Sequence, residues 1–241
     1  QFADYIFPAY DQIVNEMAKV RHRSGGEFWC PVTIRTPAGG GIRGGHHHSQ
    51  SPEAQFTHTP GLKVVYCSTP YNAKGLLISA IEDNDPVIFL EPKRCYRGPF
   101  YGDPHNVPTW SGHPEAEVPE SHYSIPLGEA RLALEGDDCT VIAWGTMVHV
   151  CEQAIKDSGI SCDLIDLQTL VPWDREAIEK SISKTGRCVI VHEAPKTSGF
   201  GAEMVASIQE RCFWSLESPI ERVTGWDTPF PHTTEWDYMP G

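Results

Sequence analysis

The stretch LKVVYCSTPYNAKGLLISAIEDNDPVIFL, residues 62–90, decides the fold because it holds a strand, a helix and a second strand in close succession. Leu62 to Cys67 and Val87 to Leu90 are apolar runs of strand length. Between them, Ser68-Thr69-Pro70 is typical of a helix start, with a hydroxyl cap and a proline in the first turn. A connection of this length predicts a parallel strand pair with a right-handed crossover.

The helix of this unit carries one apolar stripe. Its members recur at i, i+3, i+4, i+7 and i+8, which predicts burial of one helix face: Ala73, Leu76, Leu77, Ala80 and Ile81. Two further elements are predicted upstream. Asp11 to Lys19 has the spacing of a helix that faces a core, and Val32 to Arg35 predicts a short buried strand.

The second half of the chain alternates strand-like runs with helical stretches. Such alternation is typical of a parallel sheet covered by helices. We therefore expect an α/β protein with two parallel-sheet domains, at 1–97 and 123–241, joined by a proline-rich linker or insertion at 98–122. The predicted strands are Thr140 to Trp144, Cys162 to Asp166, Cys188 to His192 and Ile220 to Thr224, and the predicted helices are Val148 to Lys156, Asp174 to Thr185 and Gly201 to Phe213.

Charge and hydropathy argue against two classes of partner. Asp and Glu number 32 against 19 Lys and Arg, for a formal net charge of −13, so no nucleic acid partner is expected. The apolar runs are too short to span a bilayer, so no membrane partner is expected either. Cys67, Cys162 and Cys188 lie within apolar runs as free thiols would, which favours a reducing compartment.

Residues 37–61, PAGGGIRGGHHHSQSPEAQFTHTPG, place five glycines, at 39, 40, 41, 44 and 45, directly before His46, His47 and His48. Glycine permits unusual dihedral angles and close approach, and histidine moves protons near neutral pH, so the stretch is typical of a site loop. A glycine-rich turn followed by a surface loop explains the same composition. A metal site is less favoured, because the sequence has no C-x-x-C, H-E-x-x-H or H-x-x-x-H pattern.

Other chemical candidates are few. The sequence lacks G-x-x-x-x-G-K-[ST] and G-x-S-x-G, signatures of nucleotide binding and of many serine hydrolases. The spacing G-x-G-x-x-G occurs at 39–44, but there it leads into the predicted loop and not into a helix, so it is not read as a nucleotide-binding signature. The remaining candidates are Gln1 with Tyr5, and His192-Glu193 at a predicted strand end, where ligands of open α/β sheets gather. For the His192-Glu193 pair, a site role and a structural role both remain open.

Six stretches run in order along nearly the whole chain. They are QFADYIFPAYDQIVNE (1–16), GGHHHSQSPEA (44–54), AKGLLISAIEDNDPVIFLEPK (73–93), DLQTLVPWD (166–174), TGRCVIVHEAP (185–195) and ERVTGWDTPFPH (221–232). Together they resemble the β subunit of the E1 component of branched-chain 2-oxo acid dehydrogenase complexes, in its bacterial form. The sequence HSQSPEA at 48–54 favours the branched-chain type over the pyruvate type.

The resemblance implies a thiamine diphosphate-dependent enzyme that decarboxylates branched-chain 2-oxo acids and acylates the lipoyl group of the E2 acyltransferase. It implies an α₂β₂ heterotetramer in which the β chain supplies a pyrimidine-binding domain and a transketolase-like C-terminal domain, while the α subunit binds Mg²⁺ and the diphosphate. The family's metal-diphosphate motif is missing here, and the nearest sequence is Glu135-Gly136-Asp137-Asp138. The implied compartment is the bacterial cytoplasm, or the mitochondrial matrix in a eukaryote.

Residue by residue, the resemblance implies that Gln1 and Tyr5 line the aminopyrimidine side of the cofactor and that His48 transfers a proton near the thiazolium and the lipoyl group. His46 and His47 match no fixed position of the motif, so they are expected to be neighbours without a role. A K⁺ site is also implied. Its ligands would be largely backbone carbonyls, the oxygen donors that hard cations prefer, on Cys30, Val32, Thr33, Ala80, Asp83 and Asp85.

The family's glutamate that contacts the aminopyrimidine ring falls upstream of the segment that begins here with Gln1. We therefore expect the chain to be part of a longer polypeptide, extended at both ends. Two alternatives stay open. The first is a pyruvate or acetoin dehydrogenase E1 β subunit, and the second, of another class, is a non-catalytic metal-binding or interaction module built on residues 46–48.

Overall fold

The computed structural model describes residues 2–42, 44–96 and 116–230, in which nine strands form two sheets. The strands are β1 (Thr33–Ala38), β2 (Lys63–Tyr66), β3 (Val87–Pro92), β4 (Arg131–Leu134), β5 (Cys139–Ala143), β6 (Cys162–Asp166), β7 (Thr169–Val171), β8 (Cys188–Pro195) and β9 (Glu221–Gly225). The α-helices are α1 (Val20–Arg23), α2 (Glu53–Thr57), α3 (Pro70–Glu82), α4 (Thr146–Ser158), α5 (Arg175–Thr185) and α6 (Phe200–Cys212).

The first sheet has the order β1-β3-β2-β7. Strands β1, β3 and β2 are parallel, which confirms the pair predicted from residues 62–90. Residues 12–23, predicted as a helix over Asp11 to Lys19, form successive π, 3₁₀ and α turns that bury Ile13. The edge strand β7 was not predicted. It comes from the second half of the chain and pairs antiparallel with β2.

Helix α3 begins as its sequence predicts. The Thr69 hydroxyl accepts the Asn72 N–H, and the Asn72 side chain accepts the Thr69 N–H, which together form a capping box. The predicted stripe is wrong at Ile81, which is 63% exposed. Because each residue advances about 100° around a helix, Ile81 lies well to one side of the buried line through Leu76 and Ala80.

The second sheet has the order β4-β6-β5-β8-β9. The four predicted strands are present and parallel to one another, and the three predicted helices are present as α4, α5 and α6. One edge strand that the sequence did not predict, β4, pairs antiparallel with β6. Both sheets are nevertheless parallel in the main, so the predicted α/β class is confirmed.

The carboxyl ends of the two sheets face each other. Ser68, just beyond β2, donates a hydrogen bond of 2.5 Å to Asp166 at the end of β6. One buried apolar cluster continues across this junction and includes Phe56 and Tyr66 on one side and Ile142 and Trp144 on the other. The division at 1–97, 98–122 and 123–241 stays a prediction, and most of its linker lies outside the described residues.

No helix within residues 2–42, 44–96 and 116–230 combines the length and the apolar character that crossing a membrane requires.

Candidate functional site

The glycine-rich segment leaves the carboxyl end of β1 and returns toward α2. We call residues 39–50 the glycine–histidine loop. Its two ends are joined by the Gly39 N–H, which donates to the Gln50 carbonyl at 2.9 Å. Ligands of α/β proteins gather at such strand ends, so the loop lies where a site is expected.

His48 packs against two aromatic rings from the N-terminal segment. Its imidazole lies edge-on to Phe2, with ring centroids 4.5 Å apart, and edge-on to Tyr5 at 5.7 Å. Lys93 extends over the outer face of Phe2, 5.5 Å from the ring centroid. His48 is half-buried and Tyr5 is 56% exposed, so this aromatic cluster is open on one side.

The other two histidines of the loop face elsewhere. The rings of His46 and His47 lie 3.9 Å apart and line a cavity that His48 does not line. Within the described part of the chain, no group of three or more His, Cys, Asp or Glu side chains could hold a metal ion. The three imidazoles therefore do not converge, and the geometry gives no support to a module that binds metal through residues 46–48.

The cavity beside His46 and His47 has a volume of about 920 Å³. It lies between the glycine–histidine loop and the carboxyl ends of β8 and β9, where Glu193, Trp226 and Phe230 contribute to its wall. A volume of this size is in the range of small-molecule pockets.

Two acidic side chains lie beneath the loop, Glu53 fully buried and Glu193 half-buried. Glu193 of β8 accepts the Gly40 N–H at 2.6 Å, and Glu53 of α2 accepts the Trp144 indole N–H at 3.2 Å. The pKa of Glu53 is raised to about 7, mainly by burial and in smaller part by the neighbouring Glu193, against the lowering effect of its hydrogen bonds. Burial also raises the pKa of Glu193, while the Gly40 N–H and Arg94 lower it.

His192 is 1% exposed and stacks on Trp144, with ring centroids 5.2 Å apart. Its Nδ1 donates to the Ala194 carbonyl at 3.0 Å, while Nε2 is buried without a hydrogen-bond partner among the described residues. Burial lowers the pKa of His192 to about 4, although the bond to Ala194 raises it. His192 is therefore neutral at pH 7, in keeping with a structural side chain.

The predicted site residues separate into two groups. Tyr5 and His48 are in contact, whereas Gln1 lies outside the described residues. The six residues predicted to hold K⁺ lie at the opposite, amino-terminal edge of the first sheet. There the Thr33 hydroxyl donates to the Ala80 carbonyl at 2.8 Å, and Asp83 and Asp85 form ion pairs with Lys63 and Arg21.

Sequence reasoning missed Phe2, Glu53, Tyr66 and Arg94. Phe2 and Glu53 belong to stretches that carry the resemblance, but their spacing does not indicate their contacts. Phe2 contacts His48, 46 positions further along the chain, and Glu53 contacts Trp144, 91 positions further along. A buried acid gives one weak signal in the sequence: it is the single charged residue of a short helix, as Glu53 is in α2.

Two family models match the chain. The model described as "Transketolase, pyrimidine binding domain" covers residues 1–99, and the model described as "Transketolase, C-terminal domain" covers residues 128–241. Among solved structures, a chain titled "Split gene transketolase, inactive beta4 tetramer" superposes with a TM-score of 0.69 over 94% of this chain and 66% of that chain. At 21% identity this likeness concerns the fold.

Several curated proteins are similar over the full chain. The 2-oxoisovalerate dehydrogenase subunit beta of Pseudomonas aeruginosa is 56% identical over 243 residues, covering 100% of this chain and 69% of that protein. The mitochondrial protein of the same name from Dictyostelium discoideum is 56% identical, with 100% and 62% covered. The pyruvate dehydrogenase E1 component subunit beta of Acholeplasma laidlawii is 45% identical, with 96% and 67% covered. The chain thus spans about two thirds of the length of these relatives.

Proposed function

Because the chain belongs to the family of 2-oxoisovalerate dehydrogenase β subunits, we propose that it builds one half of a thiamine diphosphate site. The complete enzyme decarboxylates branched-chain 2-oxo acids and acylates the lipoyl group of an E2 acyltransferase. The observation that carries this proposal is the contact of His48 with Phe2 and Tyr5, on a face that is still open. The division of the chain into a pyrimidine-binding domain at 1–97, a linker at 98–122 and a C-terminal domain at 123–241 belongs to the same proposal.

The described residues suit the aminopyrimidine side of the cofactor. Phe2, Tyr5 and His48 present ring surfaces of the kind that pack against a heteroaromatic ring. Between the two aromatic residues, Asp4 has a buried Oδ2 that lacks a hydrogen-bond partner among the described residues. This acceptor suits an exocyclic amino group, and Gln1 adds a second polar side chain at the same end of the chain.

When bound, thiamine diphosphate supplies the means to decarboxylate a 2-oxo acid and to carry its acyl group. The residues of this chain then orient and transfer protons. His48 gives a proton from a ring nitrogen to the lipoyl sulfur that is released when the disulfide opens, as a general acid does. Its aromatic neighbours hold the ring and keep water from that side.

The other half of the site comes from an α subunit in an α₂β₂ heterotetramer. We assign Mg²⁺ and the diphosphate to that subunit, since this sequence lacks the metal-diphosphate motif of the family. The E2 acyltransferase is the acyl acceptor. The enzyme would work in the bacterial cytoplasm or in the mitochondrial matrix, because relatives occur in bacteria and in mitochondria.

We also assign a K⁺ site to Cys30, Val32, Thr33, Ala80, Asp83 and Asp85. In support, these residues lie together where the Cys30 N–H donates to the Asn84 carbonyl at 3.2 Å and Thr33 contacts Ala80. Carbonyl and carboxylate oxygens are the donors that such a cation prefers. The site lies at the far edge of the sheet from His48, so we give it a stabilising role.

Substrate preference tests the proposal. In the heterotetramer assembled from the complete β polypeptide and its α partner, we expect kcat/KM for CO₂ release to be higher with 3-methyl-2-oxobutanoate than with pyruvate. A pocket that fits extra methyl groups gains about 10- to 200-fold for each, so a ratio of at least about tenfold is predicted. A preference for pyruvate would instead favour the pyruvate-type alternative, to which the 45% identical pyruvate dehydrogenase subunit belongs.

A further inference from the structure

The glycine–histidine loop is held from outside at two consecutive residues. The Gly40 N–H donates to Glu193 Oε1 at 2.6 Å, and the Gly41 carbonyl accepts a hydrogen bond of 2.8 Å from Arg94. Glu193 belongs to β8 of the second sheet, 153 residues further along the chain. The loop is therefore anchored to the opposite half of the molecule by the half-buried carboxylate of Glu193.

Glycine is required where Glu193 approaches. Gly39 has a φ of +83°, and a Cβ added there would lie 2.7 Å from Glu193 Oε2 and 3.3 Å from the Tyr66 hydroxyl oxygen. The carboxylate thus lies directly against the loop backbone. A side chain at position 39 would both strain the backbone and displace the Glu193 carboxylate.

The anchored residues reach the segment that carries His48 through Gln50. The Gly39 N–H, next to the bonded Gly40, donates to the Gln50 carbonyl at 2.9 Å, two residues after His48. The His48 N–H and the Ser49 hydroxyl in turn both donate to the Gly45 carbonyl, at 3.3 Å and 2.7 Å, and a Cβ at Gly44 would lie 2.5 Å from His48 Cβ. A displacement of Gly40 is therefore passed to the imidazole through Gly39 and Gln50.

We propose that Glu193 is a positioning residue for His48: by accepting the Gly40 N–H it fixes the glycine–histidine loop in the conformation that holds the imidazole against Phe2 and Tyr5. This inference rests on the function proposed for His48. It also gives the two residues of the His192-Glu193 pair different roles: His192 is structural, and Glu193 positions a residue of the site.

The charge on Glu193 is set by groups from several elements. Arg94, which follows β3, favours its ionised form, whereas Glu53 of α2 disfavours it. Tyr66 at the end of β2 and Cys95 also lie close enough for their pKa values to be raised by Glu193, after the larger effect of burial. The anchor is thus a half-buried carboxylate with charged neighbours of both signs, and a neutral amide can replace it as a hydrogen-bond acceptor.

Glu193→Ala, Glu193→Asp and Glu193→Gln test the inference. Ala removes the acceptor, Asp withdraws it by one methylene, and Gln keeps an acceptor oxygen at the same reach. In the ¹H–¹³C spectrum of the full chain, we expect the His48 ring resonance to move in the Ala and Asp variants and to stay in the Gln variant. His48→Asn identifies that resonance by its disappearance.

In the heterotetramer, Glu193→Ala and Glu193→Asp should slow acyl transfer to lipoate by about 10- to 100-fold, the cost of a misplaced catalytic group.

Asp163→Asn is the matched control. Asp163 is a buried acid of the same half of the chain, bonded to Gly136, Ser181 and Lys184, and none of these belongs to the loop. It should lower the melting temperature without moving the His48 resonance. If the Glu193→Ala chain folds and its His48 resonance does not move, the inference is overturned. If the Ala variant does not fold, the same result in Glu193→Asp overturns it.

Normal acyl transfer in His48→Ala would overturn the proposed function instead. The His48 resonance in the Glu193 variants would then still show whether Glu193 positions the imidazole.

Discussion

His48→Ala is expected to slow reductive acylation of the lipoyl group by about 10² to 10⁴-fold, the usual contribution of a positioned general acid. The variant removes the only imidazole of residues 46–48 that packs on Phe2 and Tyr5. Release of CO₂ with an artificial electron acceptor should fall far less, because that step needs no proton at the lipoyl sulfur. Both rates are measured on the same heterotetramer preparation, assembled with the complete β polypeptide.

His46→Ala and His47→Ala are the matched controls, since both remove an imidazole of the same short 3₁₀ turn. Each is expected to keep acyl transfer within about threefold of the unmodified enzyme, because surface substitutions away from the reacting groups have small effects. Equal losses in all three variants would contradict the role given to His48 and would favour a collective role of the histidines.

Glu53→Gln is expected to remove a pH dependence of stability. Glu53 is fully buried, and its pKa is about 7 in the folded chain against an ordinary value of 4.5. Between these pH values the unfolded chain releases the proton while the folded chain keeps it, so this residue makes folding less favourable as pH rises. One pKa unit corresponds to about 1.4 kcal/mol, so the loss amounts to about 3 kcal/mol by pH 7 and then levels off.

Urea unfolding at pH 5 and at pH 7.5 measures this difference. The free energy of unfolding of Glu53→Gln should change less between the two pH values than that of the unmodified chain, by about 2 kcal/mol, because the unfolded residue is already partly ionised at pH 5. The amide keeps an acceptor for the Trp144 indole N–H. Glu210→Gln, at an exposed position of α6, should leave the pH dependence unchanged. An identical pH dependence in Glu53→Gln and the unmodified chain would mean that Glu53 is ionised in the folded state.

The parallel core of the fold could be predicted because its signals are local. Strand β6 was predicted with its observed bounds, and the cap of α3 followed from Thr69 and Pro70 alone. Strands β4 and β7 have four and three residues, too few for a recognisable period. Ile81 was placed wrongly because an i+8 spacing has already drifted around the helix.

The site could be predicted only through the resemblance. Composition marked residues 37–61 as unusual, but the contact of Tyr5 with His48 joins segments 43 residues apart. The bond from Gly40 to Glu193 spans 153 residues and depends on how the two sheets face each other. Neither contact follows from the spacing of residues along the chain, because the first depends on how the N-terminal segment packs on the glycine–histidine loop and the second on how the two sheets pack together.

Calorimetric titration with thiamine diphosphate in the presence of Mg²⁺ tests the central claim of a divided site most directly. We expect the complete β polypeptide alone to give little or no binding heat, and the α₂β₂ heterotetramer to bind one cofactor for each β chain. His48 should report the same event, with its ring resonance moving when the heterotetramer is loaded and not when the β polypeptide alone is mixed with cofactor. Equal affinity of the isolated β polypeptide and the heterotetramer would contradict the claim.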